Sequence, residues 1–298
     1  MKRTTANLLL LTAGAVWGMG FVAQATAMDS VGPWTFTAAK FALAALSVLP
    51  FALIEKGRAE SPLTPNSWTA FAVIGLFLFL ASITQQIGIV FTSVTNAGFL
   101  TGLYVVLTPI LGLLFMRAYP HPIVWPAAIA AFAGIVLLSG GSLAGLNQGD
   151  VWMIVCAVFW AGQILLVGRY ALSSGRPLAL SCVQFAVCAG LSAIGALVLE
   201  APSLDAMAGA WPEIVYGGLF SSGLAFTLQT IGQRHTTAAQ AAIFLSSEAL
   251  FAALFGAILL GERIGPSGLF GCALIFAAML AVELVPIWIR RPGFKRGA

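Results

Sequence analysis

The amino-acid sequence predicts an all-α integral membrane protein of ten transmembrane helices, arranged as two inverted repeats of five helices each. Three observations lead to this fold class: a composition too apolar for a water-soluble body, ten apolar segments of membrane-spanning length, and a similarity between the two halves of the chain. Of the 298 residues, 60% are hydrophobic and 8% are charged, and the mean hydropathy is +0.98. A soluble domain carries about 25% charged residues, so most of this surface is expected to face lipid.

Apolar runs separated by proline, glycine and charged residues define the ten segments, which we number as spans 1 to 10. Each run is about 20 residues long, the length that crosses the hydrocarbon core of a bilayer as a helix. Span 1 has the basic start and small residues of a signal peptide, but its length and its counterpart in the second half favour a retained span. The spans are predicted at residues 6–28, 34–55, 68–91, 94–117, 123–142, 151–172, 178–199, 211–233, 238–260 and 267–288.

The positive charges predict how the spans are oriented, because cytoplasmic loops carry an excess of lysine and arginine. With the N-terminus in the cytoplasm, 12 of the 14 basic residues fall on the cytoplasmic side, Arg263 falls outside, and Lys40 lies within span 2. We therefore expect a multi-pass protein of the cell inner membrane with both termini cytoplasmic. The basic residues behind the pI of ≈ 9.1 lie in short loops rather than on one patch, so nucleic acid is not an expected partner. The predicted cytoplasmic basic residues are Lys2, Arg3, Lys56, Arg58, Arg117, Arg169, Arg176, Arg234, Arg290, Arg291, Lys295 and Arg296.

The two halves of the chain match each other at an offset of 144 residues. Pro33 meets Pro177 and Phe41 meets Phe185 at this offset, and further proline, glycine and threonine matches accompany them. Each half then holds five spans. Because five is an odd number, the two halves enter the membrane from opposite sides. Inverted repeats of this kind build alternating-access carriers, in which the substrate site lies near the midplane between the halves.

Several stretches of the chain resemble the drug/metabolite transporter superfamily, and within it the EamA-type carriers of ten helices. They are Trp17-Gly18 in span 1, AAKFALAAL in span 2, NAGFLTGLYVVLTPILGLLF in span 4 and LFGAILLGERIGPSGLFGCALI across spans 9 and 10. Lys40 stands where the family usually has arginine, and Glu248-Ala249 replaces the usual Glu-Pro. The resemblance covers nearly the whole chain and implies two EamA-like five-helix repeats, at residues 1–145 and 146–298. Members similar to this chain move amino acids, nucleotide-type metabolites, sugars, vitamins or drugs.

Polar side chains inside the spans predict where a cavity lies, because each is expensive in lipid. They occur in spans 1–4 and 6–9, whereas spans 5 and 10 are nearly bare of them. We therefore predict a polar cavity surrounded by spans 1–4 and 6–9, with spans 5 and 10 outside as packing helices or as the interface of a homodimer. Any single Gln, Asn or Ser has an alternative role as interhelical hydrogen-bonding glue, worth about 0.6 kcal/mol. The predicted substrate-binding residues are Trp17, Gln24, Lys40, Gln85, Gln86, Asn96, Tyr104, Trp160, Gln163, Gln229 and Glu248.

Two of these residues are ionisable. Glu248 lies about ten residues into span 9, so it is either a proton carrier, which makes it the proton-coupling candidate, or the partner of a cation. Lys40 lies roughly 9 Å from the outer end of span 2. Three interpretations of Lys40 remain open: it contacts a negative group of the substrate, pairs with Glu248, or extends to the outer headgroups. Its counterpart in the second half is Gln184. Glu283 lies near the inner end of span 10, where it can reach the interface.

Together these features predict a secondary transporter, an exporter or exchanger, of a small amphiphilic metabolite such as an amino acid. A channel or facilitator is the alternative, although it would need rings of like residues along a pore. An integral-membrane enzyme is less favoured, because His121 and His235 lack paired carboxylates or metal-ligand spacing. No GxxxxGK[ST] motif for ATP hydrolysis occurs, and neither a cofactor nor a metal is predicted. The expected aromatic lining is Trp17, Tyr104, Trp160, Phe226 and Phe244.

Overall fold

The structure is a computed structural model that describes residues 1–59, 61–92, 94–138, 147–260 and 265–289. Within these ranges the chain is helical and contains no β-strand. The helices are Arg3–Ala27 in span 1, Pro33–Gly57 in span 2, Pro65–Phe91 in span 3, Val94–Thr101 and Tyr104–Met116 in span 4, Val124–Leu138 in span 5, Gln148–Ser174 in span 6, Pro177–Leu199 in span 7, Trp211–Val215 and Ala225–Gln233 in span 8, Ala238–Leu245 and Glu248–Leu260 in span 9, and Pro266–Ile289 in span 10.

Two further elements complete the part of the chain that the structure describes. A short helix, Leu204–Gly209, precedes span 8, and a π-helical segment, Tyr216–Leu224, joins the two α-helices of that span. By length and composition, nine of the described helical stretches are suited to cross a membrane, and Val124–Leu137 is a shorter apolar helix. The prediction of an all-α integral membrane fold is confirmed.

Parts of the sequence predictions fall beyond what the structure describes. The last residues of span 5, 139–142, lie outside the described residues, and so do the side chains of Asn96 and Glu283. The same holds for the basic residues Arg263, Arg290, Arg291, Lys295 and Arg296.

The outer surface of the spans is apolar, as a lipid environment requires. Leu46, Phe115, Ile129 and Leu197 are between 64% and 79% exposed, and they lie on four different spans. In a water-soluble protein, apolar side chains exposed to this extent would form unfavourable surface patches. In a bilayer these side chains contact acyl chains instead.

Local sequence signals explain where several helices begin. Spans 2, 3 and 7 each have proline in the first turn, where its missing N–H has no partner to lose. The Thr64 side chain accepts a hydrogen bond from the Ser67 N–H at the start of span 3. Asn147 and Asp150 form a capping box at the start of span 6, which satisfies two N–H groups that a helix end leaves free.

Packing between the two halves follows the repeat. Span 1 packs on spans 8 and 9, and its counterpart, span 6, packs on spans 3 and 4. In the same way span 2 packs on span 8 while span 7 packs on span 3. Spans 2, 4 and 5 contact their own counterparts, spans 7, 9 and 10. Where two of these spans contact each other, their counterparts thus do so as well, as a twofold relation between the repeats requires. A homodimer through spans 5 and 10 stays a prediction.

The start of span 2 lies against the end of span 7. The Glu200 carboxylate, just after span 7, accepts hydrogen bonds from the Trp34 N–H at 3.0 Å and the Thr35 N–H at 2.8 Å. The Thr35 hydroxyl donates to the same carboxylate at 2.7 Å. An acceptor and a negative charge at the first turn stabilise a helix, so Glu200 is an N-terminal cap supplied by the other half.

The other end of the same helix pair carries the equivalent arrangement. The Glu55 carboxylate, in the last turn of span 2, accepts hydrogen bonds from the Leu178 N–H at 3.1 Å and the Ala179 N–H at 2.9 Å. The 144-residue offset relates Trp34 to Leu178 and Thr35 to Ala179. We call these two sites the Glu200 cap and the Glu55 cap. Since each helix begins where the other ends, spans 2 and 7 run antiparallel, as inverted repeats require.

Candidate functional site

A cavity lies between the two halves and is lined by spans 1, 2, 3, 4, 6, 8 and 9. The volume open to the centres of water-sized molecules is ≈ 40 Å³, which is room for a few waters. Spans 5 and 10 contribute no lining residue in the described part of the chain. The lining residues are Trp17, Phe21, Gln24, Lys40, Phe41, Ser82, Gln85, Thr101, Tyr104, Trp160, Ile164, Ser221, Ser222, Phe226, Gln229 and Glu248.

Phe226 of span 8 is the centre of an aromatic wall. Its ring centroid lies 4.7 Å from that of Trp17 and 5.5 Å from that of Trp160, which stacks on it. Phe41 and Phe185, the repeat counterparts on spans 2 and 7, each lie 6.1 Å from Phe226. Aromatic rings at these separations attract one another, and their packing restricts each side chain to one rotamer. The wall is therefore a firm apolar surface suited to the apolar part of a solute.

Span 8 departs from α-helical geometry where it meets the cavity. Ser221 and Ser222 belong to the π-helical segment Tyr216–Leu224, and both line the cavity. The Trp17 indole N–H donates to the Ser221 carbonyl at 2.8 Å, which fixes one edge of the aromatic wall. π-helical turns are rare and occur often at functional sites. The segment reads YGGLFSSGL, and its glycines let span 2 pack closely, since a Cβ on Gly218 would lie 2.8 Å from Leu43.

Lys40 is 5% exposed and reaches the cavity from span 2. Its ammonium donates a hydrogen bond to the Gln24 side-chain oxygen at 3.1 Å. The same nitrogen lies 5.0 Å from the ring centroid of Phe36 and 5.3 Å from that of Phe41. An amide oxygen and two ring faces stabilise a cation without neutralising it. Among the described residues no carboxylate pairs with Lys40, so the pairing with Glu248 that the sequence left open is not formed here.

Spans 4 and 9 are broken at corresponding positions. The first break lies at residues 102–103 and the second at residues 246–247, which the 144-residue offset superimposes. Tyr104 and Glu248 each begin the helix that follows, and they are therefore repeat counterparts. Interrupted helices at matching positions of inverted repeats form substrate sites in carriers. A Glu at the first position of a helix also interacts favourably with the helix dipole.

Tyr104 and Glu248 lie beside each other at the cavity. Tyr104 is 3% exposed and Glu248 is 5% exposed, and the hydroxyl is near enough to the carboxyl to interact with it. Even so, neither the Tyr104 hydroxyl nor Glu248 Oε1 has a hydrogen-bond partner within the described ranges. Residues from the two repeats thus meet at one point, with acceptor and donor capacity left over.

Three further cavity residues carry a buried polar atom that lacks a hydrogen-bond partner among the described residues. These atoms are the Trp160 indole nitrogen, the Ser222 hydroxyl and the Gln229 side-chain oxygen. A buried polar group without a partner costs about 1–3 kcal/mol. Waters or a polar ligand in the cavity would satisfy these atoms.

A chain of amides supports the wall behind Gln229. The Gln229 amide donates to the Gln163 oxygen at 3.0 Å, and the Gln163 amide donates to the Gln184 oxygen at 3.1 Å. Gln184 is the repeat counterpart of Lys40, but it is 0% exposed and lies behind the cavity. The prediction that span 7 would line the cavity is wrong, because Phe185 packs behind Phe41 and Phe226.

The remaining predicted residues divide between the cavity and its supporting layer. Gln85 lines the cavity and donates to the Thr101 hydroxyl at 3.2 Å. Gln86 is 0% exposed and donates to the Gln24 backbone carbonyl at 3.1 Å, so it braces span 1 from behind. Phe244 is buried outside the lining. The predicted residues at the cavity are Trp17, Gln24, Lys40, Gln85, Tyr104, Trp160, Gln229 and Glu248.

Phe41, Ile164 and Ser221 line the cavity although the sequence did not single them out. Ile164 carries no sequence signal, because an apolar residue in an apolar span looks like any other. Phe41 follows Lys40, and Ser221 lies in the glycine- and serine-rich stretch of span 8. Both signals were available in the sequence.

The fold is that of a polytopic membrane protein built from two related halves. A family model described as the EamA-like transporter family matches residues 4–140 and, a second time, residues 147–284. The chain belongs to the EamA-like transporter family, within the drug/metabolite transporter superfamily. The resemblance found in the sequence is confirmed.

Two relatives align with nearly the whole of this chain. An uncharacterized transporter of Archaeoglobus fulgidus is 32% identical over 95% of this chain and 87% of its own length. An uncharacterized transporter of Bacillus subtilis, YwfM, is 26% identical over 96% of both chains. A solved crystal structure with 20% sequence identity aligns at a TM-score of 0.79, covering 97% of this chain and all of the other. That likeness shows the fold.

Proposed function

We propose that this transporter is a secondary carrier that exports or exchanges a small amphiphilic metabolite, such as an amino acid, by alternating access. The observation that carries the proposal is one cavity between the repeats that offers a cation, a carboxyl group and an aromatic wall together. An amino acid presents the complementary groups: a carboxylate, an ammonium and a side chain that is often apolar. Lys40, Glu248 and Phe226 are the residues proposed to meet them.

The state of Lys40 supports a role in binding an anion. Its ammonium is held by neutral groups, with Gln24 as the hydrogen-bond acceptor. A substrate carboxylate would add the missing counter-charge, and charge-assisted hydrogen bonds are roughly twice as strong as neutral ones. The partnerless oxygen of Glu248 offers the corresponding acceptor for a substrate ammonium.

The size of the cavity favours alternating access over a permanent pore. A volume of ≈ 40 Å³ for water-sized centres holds a few waters but not an amino acid. Substrate entry therefore requires the two halves to separate on one side. The Glu55 and Glu200 caps hold spans 2 and 7 together at both ends, and we propose that one cap opens in each access state.

Glu248 is the proposed proton-coupling residue, and a proton gradient or solute exchange would drive transport. We place the protein in the inner membrane with both termini in the cytoplasm, because the basic residues cluster on one side.

The direct test is uptake by proteoliposomes of the purified chain against a panel of labelled metabolites, with and without a pH gradient. We expect saturable uptake of an amino acid or a similar amphiphile, which unlabelled amphiphiles inhibit. Uptake of inorganic ions at a rate that does not saturate would instead indicate a channel.

A further inference from the structure

A groove opens at the membrane face where span 2 ends and span 7 begins, well separated from the central cavity. The volume open to the centres of water-sized molecules is ≈ 410 Å³. Two arginines and several apolar side chains share its wall. Those that matter here are Phe51, Ile54, Glu55, Arg58, Arg176 and Leu178.

Arg176 brings a buried positive charge to this groove. The residue is 7% exposed, and its Nη1 donates to the Glu55 backbone carbonyl at 2.9 Å. The Glu55 carboxylate accepts the N–H groups of Leu178 and Ala179 instead of forming an ion pair. No ion pair of Arg176 exists within the described ranges. A guanidinium carries five N–H donors, of which the bond to the Glu55 carbonyl uses one, and a buried charge is costly without a counter-charge.

The span 2 side of the groove combines a charge with apolar side chains on one helical face. Phe51, Ile54 and Arg58 follow the i, i+3, i+7 spacing that aligns residues along a helix. Phe51 is 59% exposed and Ile54 is 52% exposed, and Arg58 is exposed at the end of the span. In a membrane, the position of Arg58 at the end of the span would put it at headgroup level, with the two apolar side chains deeper in the bilayer.

We propose that this groove binds an anionic phospholipid, with Arg58 and Arg176 contacting the headgroup phosphate and an acyl chain lying on Phe51 and Ile54. The two arginines outnumber the one carboxylate of the groove wall, Glu55, so the net positive charge matches an anion. The adjoining apolar face matches a hydrocarbon chain, which a free phosphate lacks. Basic pockets between transmembrane helices favour anionic headgroups in this way. The lipid would bridge spans 2 and 7 beside the Glu55 cap. It would therefore favour the state in which this cap is formed and the two spans stay together.

The test is native mass spectrometry of the full-length chain, stripped of lipid and titrated with phosphatidylglycerol, phosphatidylcholine or inorganic phosphate. We expect phosphatidylglycerol to bind more tightly than phosphatidylcholine, and inorganic phosphate not to displace it. Equal binding of both lipids, or displacement by inorganic phosphate at matched concentration, would overturn the proposal. This comparison uses the wild-type chain, so it does not depend on the folding of any variant.

Matched substitutions locate the site. Arg58 is exposed and lines the groove, whereas Lys56 is exposed nearby without lining it. Loss of one basic contact near a membrane surface weakens binding about fivefold, so we expect R58Q to weaken phosphatidylglycerol binding by about that factor and R58K to retain it. K56Q should change binding less than about twofold. Equal losses in R58Q and K56Q would show general surface attraction and contradict the assignment.

Discussion

Lys40 illustrates what the sequence predicts about a single residue and what it leaves open. Placing a charged side chain within a membrane span costs free energy, so the sequence indicated that Lys40 is either functional or anchored at the interface. Its hydrogen-bond partner, Gln24, comes from a different span. Which span packs beside Lys40 is a property of tertiary packing that hydrophobic periodicity does not contain, so the sequence left the three interpretations of Lys40 open.

Replacing Lys40 by alanine tests its role in binding an anion. Since a hydrogen bond to a charged group contributes about 1.5–3 kcal/mol, we expect K40A to lower the kcat/KM of transport roughly 10- to 150-fold. K40R should restore part of it, because related carriers usually have arginine here. The control is K56A, which removes an exposed lysine at the end of the same helix. Wild-type transport by a correctly inserted K40A protein would refute the role.

Replacing Glu248 by glutamine tests proton coupling, because an amide has nearly the shape of the acid but cannot bind and release a proton at physiological pH. We expect E248Q to lose the dependence of substrate accumulation on a pH gradient while solute exchange continues. Uptake by proteoliposomes with and without the gradient measures this. E213Q is the matched control, since Glu213 accepts a hydrogen bond from Thr26 in an exposed position. Unchanged gradient dependence in E248Q would exclude Glu248 as the coupling residue.

Spans 4 and 9 are each broken at the cavity, and the sequence did not predict either break. Both spans were predicted as continuous, because a break of two residues hardly disturbs an apolar run of about 20 residues. Neither break contains proline, so the usual interruption signal is absent. The offset of 144 residues relates Tyr104 to Glu248, but only the helix ends show that both begin a half-helix at the cavity.

The contact between spans 1 and 9 depends on a small residue at Gly18. A Cβ at this position would lie 2.6 Å from the Ala252 backbone nitrogen, so the two helices would have to separate. We expect G18A to destabilise the protein by about 1–3 kcal/mol and to lower its unfolding temperature in detergent. Gly190 in span 7 has nothing within 4 Å of an added Cβ, so G190A should be neutral or slightly stabilising. Equal unfolding temperatures for the two variants would contradict this packing.

The two carboxylate caps give spans 2 and 7 a symmetric set of end contacts. We expect E55Q and E200Q to have opposite effects, because each weakens the contact at a different membrane face. N-terminal caps contribute about 0.5–2 kcal/mol, enough to shift a balance between two states roughly 2- to 30-fold. The measurement is labelling of a cysteine placed at Ser222, a cavity residue, by a membrane-impermeant reagent added to one side or the other. Increased labelling from the same side in both variants would contradict separate gates.

For the molecule as a whole, lipid makes the sequence unusually informative. Each span needs a long apolar run, so the predicted spans match the helix ends to within a few residues wherever the structure describes those ends. Partners in the interior follow different rules. Gln86, Gln163 and Gln229 are chemically alike and all lie in spans, yet only Gln229 lines the cavity. The helical rotation and packing that separate them are set by neighbouring spans.

Alternating access between the two repeats is tested most directly by counterflow. Proteoliposomes are preloaded with an unlabelled amphiphilic substrate from the uptake panel, and entry of the labelled form is followed over time. A carrier should accumulate label transiently above the outside concentration, and K40A should reduce this overshoot. Equilibration without any overshoot in the wild-type protein would contradict a carrier mechanism and favour a channel.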